Sequence, residues 1–537
     1  MKKMCSQIGG NLGQAVKKLQ KDSRMKTVLL SALLFGLLAH GFGFFSKYSM
    51  HDDLRSLFHG VGATYESGRW FLGLLSFAEV YGLGWGQYST PMVNGLLSLF
   101  WLALAACLIV QLLDIRWRVA VVLLSGVMVT SPMLANLFGY MFTAPYYCFA
   151  VFLAVIGVYA ICQWHEFWTF AFGVLMIACS AGIYQAYIPF ALGITLLYFM
   201  KVVRGTNAAD WNVRKIIVRA LYLCLAWGIA LLLYFLFTRL FLHLKGGELT
   251  DYRGIDTMGR DGMSAYLQRT VYAYREFIQP FFSRKTSNHV MYPMRSGYLY
   301  LLLMFTVVIG SIYEFFGNIR KGTAVKGVCL VILTLMLPFV SNFIYVMCDP
   351  ETVYSLMLYG QIIPLLYAIQ MLGELHACIL TKKETIRKWK LPVYGAAAVL
   401  CLFPAFFSRY DNAAYMRAAL YQQQATSWFT TLITRVESAP GYQDDLPVVY
   451  VNEMKIHDQN ITRDGSEEIP FAAAGNSLED VLNNYSWRYF VKAWCGWWPA
   501  EVKDEAEFKD RPEVTRMPSY PDDGAIQILD GTVVIKF

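Results

Sequence analysis

The sequence predicts a polytopic α-helical membrane protein of about 11 transmembrane helices that ends in a small extracytoplasmic α+β domain. Three observations carry this. Of 537 residues, 56% are hydrophobic and only 16% charged, where soluble globular chains have roughly a quarter charged. Apolar runs long enough to cross a bilayer recur along the chain. Lys and Arg gather in most of the alternate short connections between those runs, as the positive-inside rule requires; the inner connection 163–166 is too short to inform, and the long basic outer loop 242–297 runs against the rule, as long loops can.

The runs fall at 27–45, 91–113, 117–136, 142–162, 167–182, 184–201, 217–241, 298–317, 326–347, 355–379 and 391–408. Ahead of the first stand Lys2, Lys3, Lys17, Lys18, Lys21, Arg24 and Lys26. That run is span-length and no small-x-small cleavage site follows, so residues 1–26 are expected to be a basic cytoplasmic N-terminus before an uncleaved span. With that start inside, the cytoplasmic connections carry Arg116 and Arg118, then Lys201, Arg204, Arg214, Lys215 and Arg219, later Arg320, Lys321 and Lys326, and finally Lys382, Lys383, Arg387, Lys388 and Lys390. The outer connections 137–141, 181–187 and 348–354 carry none. An odd number of spans follows, with a membrane domain over 27–408 and the tail 409–537 outside.

Two outer segments interrupt the membrane domain. In 46–90, Asp52-Asp53 precede an apolar stripe of Leu54, Leu57, Phe58, Val61 and Tyr65 at helical spacing. After Gly68-Arg69-Trp70 comes a shorter apolar piece, 71–81, containing Glu79. It reads as two amphipathic pieces on the outer surface, or one re-entrant piece. In 242–297, Leu267, Val271, Tyr274, Ile278 and Phe281 mark one face of an interfacial helix among eight basic and five acidic residues. The tail has a helical stretch at 411–436 and a strand-like 448–451. Near the end, Asp530-Gly531 separates β-prone 526–529 from 532–535, a hairpin signal.

The net charge of +8 belongs to this topology and is no sign of nucleic-acid binding. The eleven cysteines show no CxxC and no metal-ligand spacing, and several sit inside apolar runs, so neither disulfides nor a cofactor is expected. No nucleotide-binding signature (GxGxxG after a strand, GxxxxGK[ST]) and no HExxH occurs. A nucleotide sugar would stay cytosolic, so a lipid-linked sugar suits an outer site better.

The chemistry-bearing residues lie in the outer segments. Asp52 or Asp53 suits a general base at the membrane surface, with Asp53 preferred. Arg55, Arg69, Arg253 and Arg260 suit a phosphate clamp, because the guanidinium fork matches phosphate oxygens. The plain alternative is an N-cap: acids at a helix start stabilise it by about 0.3–1 kcal/mol. His51 and Glu79 are surface residues or members of the same site, and His40 is a polar residue near the end of the first span. Tyr184 is either an aromatic-belt residue or a site residue, and Gln185 bonds either a sugar hydroxyl or an opposing helix. For Trp494, Trp497 and Trp498, a core or interface role is preferred to sugar stacking.

The outer acidic pair followed by interfacial helices resembles the GT-C class of polyprenyl-phosphate-dependent glycosyltransferases. Asp52-Asp53-Leu54-Arg55, Gly68-Arg69-Trp70, Ile183-Tyr184-Gln185 and the ending Met517-Pro518-Ser519-Tyr520-Pro521-Asp522-Asp523-Gly524 resemble the glucosyl transferase II family of phage O-antigen serotype conversion. The resemblance implies a GT-C-like fold in the bacterial cytoplasmic membrane. It implies transfer of a glucosyl residue from an undecaprenyl-phosphate donor to a surface polysaccharide or lipid-linked oligosaccharide, with a flippase and a donor-lipid synthase as partners beside the bilayer. Asp52 and Asp53 match the family's acidic pair. The competing classes are a lipid-linked sugar transporter or flippase, a polysaccharide polymerase, and a non-enzymatic envelope scaffold. A flippase would place ionisable residues along a midplane path, whereas here the charges gather in the outer segments.

Overall fold

A computed structural model describes residues 2–46, 50–56, 65–84, 89–164, 166–205, 211–250, 261–282, 296–381, 390–452, 454 and 482–537. A basic amphipathic helix, α1 (Lys2–Lys21), leads to α2 (Ser23–Phe45), the first span. Asp22 caps α2 by accepting from the backbone N–H of Arg24 at 3.0 Å. Beyond it, α3 (His51–Ser56) is short, and α4 (Trp70–Phe77) opens into a π turn over Ala78–Gly82. The chain then runs back and forth through α5 (Pro91–Leu112), α6 (Arg118–Val129) with α7 (Pro132–Phe138), α8 (Ala144–Gln163), α9 (Phe167–Ile183), α10 (Ile188–Gly205) and α11 (Val213–Lys245). After α12 (Met263–Phe282) come α13 (Ser296–Arg320), α14 (Ala324–Ser341), the single-turn α15 (Ile344–Met347), α16 (Ile363–Thr381) and α17 (Lys390–Glu437).

Among the described residues, ten helices are long and apolar enough to cross a membrane. With α9, which has 17 residues, they account for the eleven apolar runs. This helix stays short because the chain turns at Tyr184, and it is held tightly against α8. A Cβ on Gly157 would stand 2.8 Å from the Gly173 carbonyl oxygen. In lipid, where apolar burial supplies no drive between helices, such close backbone approach is the attractive term.

One end of the bundle is tied by cations. Arg24 donates to the Ile115 carbonyl at 2.8 Å, Lys201 to that of Leu112 at 2.9 Å, and Arg219 to that of Cys162 at 2.8 Å. Arg204 donates to both Glu314 oxygens at 3.2 Å and to the Tyr367 hydroxyl, and lies 3.6 Å from Glu374. The opposite end carries α3, α4 and the tail.

In α12 the expected apolar face is turned away from the protein: Leu267 is 62% and Val271 69% exposed. Ala273 and Glu276 are buried, and the Ala273 carbonyl accepts from Asn342 at 2.9 Å. That is how a helix resting on lipid is arranged.

The expected separation of a last span from a tail helix at 411–436 does not hold. A single helix, α17, runs through 48 residues. Nothing between Phe407 and Asp411 breaks a helix, and the buried stripe Phe403, Phe407, Ala414, Ala418, Tyr421, Ala425, Phe429 and Leu432 stays on one face throughout. The upper part of that stripe is the floor of the C-terminal domain. There a three-stranded sheet, β1 (Val448–Val451), β2 (Ile526–Leu529) and β3 (Thr532–Lys536), has the order β1-β3-β2. Strand β1 pairs parallel and β2 antiparallel with β3, and Leu529 faces Thr532 across the two-residue turn. Asp530 (φ 49°) and Gly531 (φ 68°) are both left-handed, as the expected hairpin turn requires. Two short helices, α18 (Trp487–Phe490) and α19 (Pro512–Arg516), complete the domain.

Candidate active site

The short helix α3 is seated on the bundle through Met50 and Leu54, both fully buried against Ala135, Ala414, Tyr415 and Ala418. Successive residues on a helix point about 100° apart, so the neighbouring acids diverge. Asp53 turns inward and is 1% exposed. Its Oδ2 accepts from Ser89 Oγ at 2.6 Å and its Oδ1 from the Phe142 backbone N–H at 3.2 Å. These partners lie 36 and 89 residues away, so Asp53 ties distant segments together as well as favouring the first turn of α3. Asp52 turns outward, with 42% of its side chain exposed. Its Oδ1 accepts from the Tyr485 hydroxyl at 2.6 Å, and His51 Nε2 lies 3.7 Å from its Oδ2. The His51 ring stands edge-on to Tyr140 (5.5 Å) and Tyr485 (5.7 Å).

The corner between α7 and α8 is the hub. Tyr140 meets His51, Phe142 meets Asp53, and Asn94 Nδ2 donates to the Met141 carbonyl at 3.0 Å. Just inside α8, Tyr147 stacks on Tyr184 at 4.3 Å. The Arg69 guanidinium lies over both rings, 5.1 Å from the Tyr184 centroid and 5.9 Å from that of Tyr147. The guanidinium is thereby held on two aromatic faces in a cation–π arrangement. Gln185 is buried and donates to the Ser67 carbonyl at 3.0 Å and to the Tyr234 hydroxyl at 2.8 Å. Its amide nitrogen is thus engaged within the protein, bracing the turn before Arg69.

His51, Asp52, Asp53, Arg69, Tyr184 and Gln185 thus gather at one end of the bundle, around one corner. Arg55 is exposed on α3. Glu79 is not brought to this group. It lies in the π turn, ten residues along from Arg69, about 15 Å at helical rise. Burial raises its carboxyl above the ordinary range, and its Oε2 has no hydrogen-bond partner among the described residues. Arg253 and Arg260 lie outside the described residues. Among the described residues, no three His, Cys, Asp or Glu side chains group as a metal would need.

Sequence reasoning did not find Ser89, the Phe142 N–H or Tyr485, and no local pattern marks them. It noted His40 but not what faces it. His40 is fully buried, and its Nε2 donates to the Val129 carbonyl at 2.8 Å, since a carbonyl only accepts. Its Nδ1 therefore accepts from the Tyr415 hydroxyl at 2.8 Å. The fully buried Asp411 lies 4.0 Å from that Nδ1, and neither of its carboxyl oxygens has a hydrogen-bond partner among the described residues. The one available signal was an ionisable residue just past an apolar run.

The model of the family described as Glucosyl transferase GtrII matches residues 41–365, more than half of the chain. No curated protein and no solved structure matches. The matched stretch holds α3, the α7–α8 corner, Arg69 and Gln185, and stops before α17 and the C-terminal domain. The chain therefore belongs to the glucosyl transferase GtrII family and is a multi-pass membrane glycosyltransferase.

Proposed function

We propose that the enzyme moves a glucosyl residue from a polyprenyl-phosphate donor to a glycan acceptor on the outer face of the bacterial cytoplasmic membrane. The observation that carries this is the divided acidic pair, one carboxylate open and one anchored, at the end of the bundle that also holds Arg69. The opposite end carries Arg24, Arg116, Lys201, Arg204, Arg219 and Lys326, which the positive-inside rule assigns to the cytoplasm. The tail then lies outside, next to α3.

Asp52 is the base. It is accessible, and the Tyr485 hydroxyl fixes its orientation. It takes the proton of the acceptor hydroxyl as that oxygen bonds to the anomeric carbon. The bond from the anomeric carbon to the phosphate oxygen breaks, and the polyprenyl phosphate leaves with the electron pair. Arg69 neutralises that phosphate. Asp53 anchors α3 to Ser89 and to the corner, holding Asp52 in place. A donor presented outside implies a donor-lipid synthase and a flippase as partners.

The test is transfer by purified protein from polyprenyl-phosphate-glucose to glycan extracted from the producing cells. Asp52→Asn is expected to lower transfer by roughly 10²–10⁴-fold, the usual share of a general base, with unfolding unchanged. Asp53→Asn sets an amide against two donors and is expected to cost about 1–3 kcal/mol of stability as well as activity. Full activity in Asp52→Asn would sink the assignment.

A further inference from the structure

The C-terminal domain carries an aromatic cleft to which the transfer reading gives no role. Its walls are Tyr450 of β1, Trp487 and Arg488 of α18, and Trp497 and Trp498 of the following segment. That segment leaves a π turn, Val491–Cys495, and reverses at Gly496, whose φ of 70° is readily open to glycine. It is then pinned to the free side of β1. Val448 N donates to the Glu501 carbonyl at 2.8 Å, and Lys503 N to that of Val448 at 2.9 Å. The back wall is equally fixed, because Trp487 stacks on Phe429 of α17 at 5.9 Å with the rings 1° apart.

The expectation of a core or interface role holds for only part of this group. Trp494 and Trp497 are partly buried against the domain core, but Trp498 is 45% exposed. Lys492 Nζ lies 4.6 Å from the Trp498 ring centroid. Arg488 lies 5.4 Å from the centroid of Tyr450 and 5.9 Å from that of Trp487. It has no hydrogen bond or ion pair among the described residues, so its donors are unclaimed. The cleft is shallow, with about 10 Å³ of enclosed space, scarcely room for one water, so a ligand would rest on it and not enter it. It is a platform on which one ring can lie.

A sugar ring has an apolar C–H face and a rim of hydroxyl oxygens. The first suits the negative face of an indole and the second suits guanidinium donors. The cleft also neighbours the acidic helix: Tyr485, which holds Asp52, is two residues from Trp487, and α18 packs on α3. We propose that this cleft binds the acceptor glycan, one sugar lying on Trp498 with its hydroxyls on Arg488, so that the chain threads toward Asp52. The identity of that glycan as acceptor rests on the transfer reading.

The experiment measures binding without donor. Full-length protein in lipid nanodiscs is titrated against fluorescently labelled surface polysaccharide, released from the producing cells and freed of lipid. Trp498→Ala is expected to weaken binding about tenfold, and Trp498→Phe, which keeps an aromatic face, to restore most of it. Arg488→Leu is expected to weaken it to a similar degree. If wild type does not bind the polysaccharide, or if Trp498→Ala binds as wild type does, the proposal fails. It fails too if Trp498→Ala loses tryptophan quenching by brominated phosphatidylcholine while keeping glycan affinity, since the cleft then rests on the bilayer. Wild type that binds glycan and transfers nothing would count against the transfer reading and leave the glycan-binding cleft standing.

Discussion

Gly182 is where packing and chemistry are most directly joined. It lies in the last turn of α9 beside Trp70, the first residue of α4 and the neighbour of Arg69. A Cβ built there would stand 2.6 Å from Trp70 Cε2, 2.8 Å from Nε1 and 2.9 Å from Cζ2. Carbon atoms rest at roughly 3.5–4.0 Å, so the indole would have to retreat by on the order of 1 Å. It has nowhere to go: Trp70 is 3% exposed, Phe241 is stacked behind it at 5.6 Å, and Phe237 is 4.8 Å away. Gly182→Ala is therefore expected to cost about 1–3 kcal/mol, the usual range for overpacking. It is also expected to raise the donor KM, because Arg69 moves with Trp70. Thermal unfolding in detergent reads the first effect and initial transfer rates the second. Gly228→Ala is the control, since a Cβ there meets nothing within 4 Å, and no loss is expected. Adding Trp70→Phe to Gly182→Ala gives the methyl room, so the double variant should lose less than the sum of the single losses. If Gly182→Ala unfolds with wild type, or if the two losses simply add, the steric reasoning is wrong.

Two further outcomes follow from charges held in unusual places. Arg204→Met strips the partner from Glu314 and Glu374. The expected loss is toward the low end of the roughly 3–5 kcal/mol for a broken buried pair, because those acids keep 25% and 38% of their side chains exposed. Adding Glu314→Gln and Glu374→Gln should recover much of it, and an unfolding midpoint that stays low in the triple variant would refute the pairing. Glu79 tests the sign of a burial effect. Its carboxyl is raised above the ordinary 4.5, so the fold binds this proton more tightly than the unfolded chain does. The fold is then favoured at low pH and loses stability as pH rises through the window between 4.5 and the raised value. Glu79→Gln should gain on wild type at neutral pH and differ least at about pH 4, and a difference that is flat with pH would refute it.

The legible parts of this chain were those set by a local constraint. Bilayer thickness fixes the length of an apolar run, so the helices of the bundle could be read one by one. The Asp530-Gly531 turn was legible because two left-handed residues between β-prone runs leave the backbone few choices. The join in α17 was not legible. Hydropathy falls at Ser408–Asp411, but that drop marks a change of surroundings and not the end of a helix. The adjacent acids were visible as a pair, yet their different environments come from Ser89, Phe142 and Tyr485, which only tertiary structure brings near. Gln185 stood out as a polar residue at a turn. Its partners, Ser67 and Tyr234, lie 118 and 49 residues away in the chain.

The unbroken α17 has a mechanical consequence. Its 48 residues make a rod about 72 Å long at helical rise. The C-terminal domain is geared to the bundle by that rod, and its rotational phase is set by a residue count. One alanine inserted between Phe407 and Ala414 would turn everything beyond it by about 100° and lift it about 1.5 Å. Tyr485 would swing away from Asp52 although neither residue had changed. The spacing along α17 thus sets the meeting of Tyr485 with Asp52 as much as those two residues do.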